Sequence, residues 1–209
     1  MINRRRNFIF IHINKTAGRS ISTALSTIDN HGVRTTKNYH FHMPMFWLME
    51  NIPDCKQLFS FAFVRNPFDW LYSNYAYITR ELDIFKYFNP QANKIPSFKE
   101  WLLEDKWYST RRRANQLNAV NPFPPMQLRQ FGWWLDVNGT CAVDYIGRYE
   151  QLHQDFDYIS QKLGMSTATL PHVNENKRNH NYRTMYDTEM IQMVEETHAD
   201  DLSRFGYTF

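Results

Sequence analysis

This chain of 209 residues has little cysteine, little glycine and no long apolar run. Its two cysteines, Cys55 and Cys141, are too few for a disulfide framework, so a reducing compartment is the default expectation. The apolar stretch that starts at Phe8 ends at Ile13, and it is too short for a signal peptide or a membrane span. We therefore expect a cytoplasmic protein without a membrane anchor.

An excess of charge of one sign is also missing. The formal net charge is +3, which suits an anionic ligand but is too small to predict a nucleic-acid partner. Hydrophobic residues make up 43% and aromatic residues 16%, as in globular proteins. At this length we expect a single domain over residues 1–209, with a proline-rich insertion or lid at about residues 85–125. The oligomeric state is left open.

Strand and helix patterns alternate along the chain. Residues 8–13 and 59–65 are rich in aromatic and β-branched side chains and predict buried strands. A helical pattern begins at Ser20 after the first strand, and Pro67 is well placed to start a helix after the second. This order predicts an α/β fold with a mostly parallel sheet flanked by helices, whose ligands bind at the carboxyl ends of the strands.

Three further elements are predicted in the second half of the chain. Residues 133–146 indicate a hairpin whose tight turn is Asn138-Gly139. Residues 152–163 have the spacing of an amphipathic helix that ends at Gly164. Residues 187–205 predict one last helix.

The turn between the first strand and its helix, residues 15–20, has the composition of an anion site. Backbone N–H groups and the positive end of a helix would face the anion, and Lys15 would add a mobile charge. No glycine precedes Lys15 in this turn, so the nucleotide-kinase pattern GxxxxGK[ST] is absent. A P-loop kinase or nucleotidase is therefore a disfavoured alternative, also because no convincing Mg²⁺-binding aspartate follows a strand.

A second candidate anion site follows the second strand in the segment RNPFDWLYS. Arg65 ends the strand, and Ser73 lies two turns into the next helix. A guanidinium binds oxyanions through two parallel hydrogen bonds, so this pair predicts a second phosphate site. In the alternative interpretation, Arg65 pairs with Asp69 and Ser73 is a solvated helix residue.

These segments resemble those of a known enzyme family. INKTAGRS resembles the 5′-phosphosulfate-binding loop of sulfotransferases, and VRNPFDWLYSNY resembles their 3′-phosphate-binding segment. The similarity is greatest to the Golgi carbohydrate sulfotransferase group that includes heparan sulfate 2-O-sulfotransferase, with its soluble bacterial relatives. It continues through VDYIGRYEQLHQDF, LPHVNENKR and DLSRFGY, and it leaves the proline-rich middle uncovered. The resemblance implies a P-loop-like three-layer α/β fold.

The resemblance also implies the donor and the residues that hold it. The donor would be 3′-phosphoadenosine 5′-phosphosulfate (PAPS), and the product adenosine 3′,5′-bisphosphate (PAP). The 5′-phosphosulfate would lie on Lys15, Thr16, Ala17, Gly18, Arg19 and Ser20. Arg65 and Ser73 would bind the 3′-phosphate. Arg178 would reach the 3′-phosphate or the adenine, or it lies in a solvated loop.

The acceptor hydroxyl needs a base, and histidine is the usual choice near neutral pH. The segment NYHFHMPMF offers His40 and His42, and a similar His-x-His segment supplies the base in the related 2-O-sulfotransferase. We expect His42 first and His40 second. Metal binding by the pair and two ordinary surface histidines are the alternatives. His12, on the first strand, is expected to be a satisfied core or near-site histidine and not a base.

The sequence therefore predicts a PAPS-dependent sulfotransferase that acts on a hydroxyl by in-line displacement. The resemblance points to a saccharide acceptor, and the scheme requires no metal. The alternative from another class is a nucleotide- or glycan-binding module without activity. Arg19 and Trp70 leave that alternative open, because related enzymes usually carry other residues at these positions.

Overall fold

The structure is a computed structural model that describes residues 1–27, 42–88, 92–103, 130–136, 138–165, 170–171 and 181–209. The chain divides into two compact units. The sheet unit comprises residues 1–65 and 130–175, and the helical unit comprises residues 66–129 and 176–209.

Four strands within the described residues form the sheet of the sheet unit, in the order β1 (Ile2–Asn3), β2 (Phe8–Ile11), β3 (Phe59–Val64) and β4 (Tyr145–Arg148). β1 is antiparallel to β2, whereas β2, β3 and β4 run parallel. The three parallel strands therefore end at one edge of the sheet. The predicted α/β fold with a mostly parallel sheet flanked by helices is confirmed.

Helices α1 (Gly18–Thr27), α2 (Met45–Asn51) and α6 (Leu152–Lys162) belong to the sheet unit. Phe8 and Phe10 alternate with Ile9 and Ile11 along β2, so the two phenylalanines share one face of the sheet. That face packs on α1 and α6, in a cluster that includes Phe8, Phe10, Phe61, Phe63, Ile21, Leu25, Phe156 and Ile159. Ile9 and Ile11 are buried as well, which explains why β2 reads as a continuous apolar run.

The helical unit contains α3 (Pro67–Ile78), α4 (Leu82–Phe88), α5 (Phe98–Leu103), α7 (Thr188–Thr197) and α8 (Ala199–Phe205). The predicted start of α3 is confirmed, because the Asn66 side chain accepts a hydrogen bond from the Phe68 N–H and Pro67 occupies the first turn. The core of this unit is strongly aromatic and contains Phe68, Trp70, Tyr72, Phe85, Phe98, Trp101, Met190 and Val194.

The described part of the predicted lid contributes to this core. Phe85, Phe98, Trp101 and Leu102 are all buried, although the prolines around them favoured an irregular surface segment. Proline content reports on the connections between helices and not on the packing of the helices themselves. Residues 89–91 and 104–125 of the predicted lid lie outside the described residues, and the assignment of one domain with a lid stays a prediction.

The predicted hairpin at residues 133–146 is wrong as a pair of strands. The turn exists, since the Gly139 N–H donates to the Asp136 carbonyl at 3.1 Å and Gly139 has a φ of 77°. Among the described residues, its arms share one isolated antiparallel bridge between Leu135 and Cys141, with a backbone hydrogen bond on either side of it, and the returning strand β4 pairs in parallel with β3. The open edge of β3 offers β4 a longer backbone ladder than the short first arm does.

The predicted last helix is divided into α7 and α8. His198 interrupts it with a φ of −118° and a ψ of 23°. The apolar spacing continues across the break because only one residue leaves the helical conformation, so the pattern alone does not reveal it. The predicted helix that ends at Gly164 is confirmed as α6, and Gly164 has a φ of 63°.

Within the ranges that the structure describes, no helix combines the length and the apolar character needed to cross a membrane.

Candidate active site

The turn at residues 15–20, here called the anion turn, owes its shape to two left-handed residues that are not glycine. Lys15 has a φ of 62° and Ala17 has a φ of 63°, while Thr16 between them has a negative φ. Alternation of this kind points successive backbone N–H groups toward one concavity, which is a nest for an anion. Each left-handed residue costs about 1–2 kcal/mol. The surrounding structure must therefore hold this shape.

Thr16 provides one such restraint. Its side chain is fully buried, and its hydroxyl donates to the Ile13 carbonyl at 2.9 Å. This bond closes the turn back onto the end of the segment that leaves β2. The threonine therefore holds the backbone in place, and the proton of its hydroxyl is already used in a hydrogen bond to a carbonyl.

Helix α1 begins directly at the anion turn. The Ile21 N–H donates to the Ala17 carbonyl at 3.1 Å, so the N–H groups of Gly18, Arg19 and Ser20 belong to the first turn, which has no acceptor within the helix. These groups and the positive end of the helix favour an anion in front of them. The predicted anion site thus has the geometry of a helix N-terminus joined to a nest.

Gly18 is required by a close contact with His12. A Cβ atom added at Gly18 would lie 1.8 Å from Nε2 of His12, so no other residue fits without moving the ring. Lys15 is half-buried in the turn, whereas Arg19 is exposed. Arg19 therefore lies at the outside of the turn, where its charge still acts on the surrounding groups.

Arg65 follows β3 at the same edge of the sheet. It is only 4% exposed, and its Nη1 donates to the Lys15 carbonyl at 3.1 Å. The anion turn and Arg65 therefore meet at the carboxyl ends of parallel strands, where the predicted fold binds its ligands. The guanidinium is held at the turn, which places a permanent positive charge beside the nest.

Two residues that sequence reasoning missed hold Arg65 in position. The buried Gln130 side chain accepts from the Arg65 N–H at 2.8 Å and donates to the Arg65 carbonyl at 2.7 Å, which extends the sheet like a further strand. The ring of Tyr149 lies under the guanidinium, with Cζ 3.9 Å from its centroid. Tyr149 follows β4 directly, so its place at a strand end was available as a signal. No local pattern pointed to Gln130.

His42 lies beside the end of β2. Its Nδ1 is 2.7 Å from the carbonyl oxygen of His12. Because a carbonyl only accepts hydrogen bonds, we assign the proton of neutral His42 to Nδ1, which leaves a lone pair on Nε2. Nε2 is therefore the atom of this ring that can take a proton.

The charge state of His42 also suits a base. Desolvation by the neighbouring groups lowers the pKa of His42 below its ordinary value, while the hydrogen bond to the His12 carbonyl acts in the opposite direction. Trp133 contributes to this environment, because its ring meets the imidazole edge-on with 6.2 Å between centroids. The residue as a whole remains exposed. His42 is thus neutral near pH 7 and open to a reaction partner.

His12 is a second histidine of the same site. It is 8% exposed, and burial, followed by the effect of His42, lowers its pKa to about 3. Its ring stacks on Phe10 at a centroid distance of 5.5 Å and lies 4.5 Å from the ring of His42. The predicted location in the core or near the site agrees with this placement, but the histidine is not satisfied, because its buried Nδ1 has no hydrogen-bond partner among the described residues.

Three other candidate residues stay predictions. Ser73 is buried in α3 of the helical unit, so its pairing with Arg65 stays a prediction. His40 and Arg178 lie outside the described residues. In the described parts of the chain, no group of three or more His, Cys, Asp or Glu side chains is arranged to hold a metal ion.

Comparison with known proteins gives one match. The family model described as "Sulfotransferase family" matches residues 1–208. No curated protein and no solved structure matches the chain significantly.

Proposed function

Because this chain belongs to the sulfotransferase family, we propose that it transfers a sulfuryl group from PAPS to a hydroxyl of an acceptor. The observation that carries this proposal is the hydrogen bond from Arg65 Nη1 to the Lys15 carbonyl at 3.1 Å, which joins a buried guanidinium to a backbone nest. This combination suits a ligand with more than one anionic group.

The residues at the sheet edge fit such a donor. The nest formed by Lys15, Thr16 and Ala17 and the first turn of α1, with Gly18, Arg19 and Ser20, would hold the 5′-phosphosulfate. Arg65 would hold a phosphate, and by resemblance this is the 3′-phosphate. The parts assigned to Ser73 and Arg178 rest on the sequence pattern and the resemblance.

The proposed reaction is an in-line displacement at sulfur. The acceptor oxygen forms the new bond to sulfur, and its proton passes to Nε2 of His42. The bond between sulfur and the bridging phosphate oxygen breaks, and its electron pair leaves with PAP. Lys15 and the N–H groups of the turn stabilise the negative charge that develops on this oxygen. A base and a fixed anion site lower the barrier separately, through proton removal and through orientation.

His42 is the proposed base because its tautomer and its lowered pKa both leave Nε2 able to accept a proton. The bond from Nδ1 to the His12 carbonyl keeps the lone pair on Nε2, and the low pKa keeps that lone pair unprotonated near neutral pH. His40 is retained as the second candidate.

The finer assignments follow from the resemblance. We propose a saccharide as the acceptor class and the 2-O-sulfotransferase-like group as the nearest relatives. The scheme uses no metal, no nucleic acid and no membrane, and we propose a cytoplasmic site of action.

The test is sulfuryl transfer by the purified full-length chain. We expect radiolabelled sulfate to move from PAPS to at least one member of a panel of saccharides, lipids and small alcohols. PAPS binding without turnover on any acceptor would instead support a binding module. Turnover of ATP with Mg²⁺ and no use of PAPS would support the kinase alternative.

The role of His42 has its own test. We expect His42→Asn to lower kcat by about 10²- to 10⁴-fold, as for the loss of a general base. His153→Asn, at an exposed position on α6, is the matched control and should leave kcat unchanged. With the wild-type chain, kcat/KM should fall as the pH drops through the pKa of His42, with its midpoint below 6.5. A midpoint above 6.5 would contradict the assignment.

A further inference from the structure

His12 fills the space between the anion turn and the candidate base. On one side its Nε2–Cδ2 edge presses on Gly18, since an added Cβ there would lie 1.8 Å from Nε2 and 1.9 Å from Cδ2. On the other side its ring lies 4.5 Å from the ring of His42. The first residue of α1 and the candidate base therefore rest on the same imidazole.

The main chain of His12 supports the same base. Its carbonyl oxygen accepts the hydrogen bond from Nδ1 of His42 at 2.7 Å. The residue thus touches His42 twice, through its ring and through its carbonyl. Because residues 12 and 13 connect β2 to the anion turn, any movement of this segment changes the turn and the base together.

No hydrogen bond among the described residues explains why a histidine ring is buried at position 12. Its Nδ1 is buried and has no partner among the described residues. An unpaired buried nitrogen destabilises a fold, so the ring must contribute elsewhere. Stacking on Phe10 fixes its plane, and contact with Gly18 fixes its outer edge.

We propose that His12 is a positioning residue that sets the separation between the anion turn and His42. This inference rests on the proposed function, in which the turn holds the group to be transferred and His42 takes the proton. A shift of about 1 Å between such groups is enough to lower a rate about 100-fold. His12 acts through Gly18 and His42 and need not touch the substrate.

The test is a double-mutant cycle on His12 and Gly18, read by PAP binding in calorimetry and by kcat. His12→Ala should lower kcat about 10- to 100-fold and change the Kd for PAP by less than about 3-fold, because the turn keeps its backbone. Gly18→Ala alone should weaken PAP binding about 10-fold or more, since its Cβ collides with the ring. The double variant should recover PAP binding but not kcat, because the new methyl group occupies the space that the ring has left.

A nuclear magnetic resonance titration of His42 separates positioning from a general loss of structure. In His12→Ala, water reaches the imidazole of His42, so its pKa should rise toward 6.5 while the rest of the spectrum is preserved. Should His12→Ala fail to fold, His12→Asn takes its place with the same expectation. A kcat within 2-fold of wild type for the folded variant, or an unchanged pKa of His42, would overturn the proposal.

The two proposals fail separately. If the wild-type chain binds PAP but transfers no sulfate, the proposed function is wrong. The recovery of PAP binding in the double variant and the pKa of His42 still decide whether His12 links the turn to that histidine.

Discussion

The anion turn and the end of β3 at Arg65 lie at the same edge of one sheet. They present positive charge to an anionic ligand in different ways. The turn relies on its backbone, with two left-handed residues and the start of α1. Arg65 relies on a side chain that Gln130, Tyr149 and the Lys15 carbonyl hold in place. A backbone site stores strain, whereas a side-chain site depends on partners that are distant in sequence.

Among changes to the anion turn and to the Arg65 side of the site, removal of the mobile charge of Lys15 should have the largest effect. We expect Lys15→Ala to lower kcat by about 10²- to 10³-fold, because Lys15 stabilises charge that develops only during the reaction. Transfer of radiolabelled sulfate measures this. Lys162→Ala, at the exposed end of α6, is the control and should not change kcat. An equal loss of PAP affinity and of kcat/KM would instead assign Lys15 to binding alone.

Removal of the buried guanidinium should affect binding first. We expect Arg65→Ala to raise the Kd for PAP about 100-fold, or about 2.7 kcal/mol, because it deletes a held charge from the site. Calorimetry with PAP measures this change, and Arg204→Ala on the exposed surface of α8 serves as the control. An unchanged PAP affinity in Arg65→Ala would show that the end of β3 is not an anion site.

Acid should lower the free energy of unfolding through His12, whose ring packs against the anion turn. The pKa of His12 is about 3 in the folded protein and 6.5 as its ordinary value, so the unfolded chain binds more protons between these pH values. Stability is therefore fully present above pH 6.5 and is lost as the pH falls toward 3. The loss reaches about 1.4 kcal/mol per pH unit for this one group.

Urea unfolding of the wild-type chain and of His12→Ala measures this dependence. It is done at pH 7.5, 5.5 and 4.5, from about one unit above to about two units below the ordinary pKa of histidine. We expect a smaller loss of stability on acidification in the variant. Parallel curves for the two proteins would mean that His12 is not held neutral by the fold.

The aromatic support of Arg65 should contribute less than Arg65 itself. We expect Tyr149→Leu to raise the Kd for PAP about 5-fold, or about 1 kcal/mol, because the guanidinium loses the ring beneath it. Tyr149→Phe keeps the ring and is the matched control. A similar loss in both variants would assign the effect to the hydroxyl and not to the stacking.

The smallest effect is expected from relief of strain in the turn. Ala17→Gly should raise the free energy of unfolding by about 0.5–1 kcal/mol. Glycine adopts the φ of 63° without strain, and this gain exceeds the cost of its greater conformational freedom in the unfolded chain. Ala24→Gly, within helix α1, should lower it by about 1 kcal/mol or more. Urea unfolding compares the two, and destabilisation by Ala17→Gly would contradict the strained-turn description.

Local patterns predicted the elements that position the site. The apolar runs of β2 and β3, the helix start at Pro67 and the polar turn before α1 depend on neighbours within about four residues, and each is confirmed. The hairpin at residues 133–146 was wrong because the partner of a strand is chosen by the available sheet edge, which no local pattern contains.

The sequence by itself determined β2 and β3, a helix after each of them, and the arrival of Lys15 and Arg65 at one edge of a parallel sheet. Only the tertiary structure decided how these groups are held. Gln130 supports Arg65 across 65 positions of the chain, and the His12 carbonyl selects the tautomer of His42 across 30. Such contacts form when the whole chain packs, because burial and hydrogen-bond partners depend on the assembled core and not on neighbouring residues.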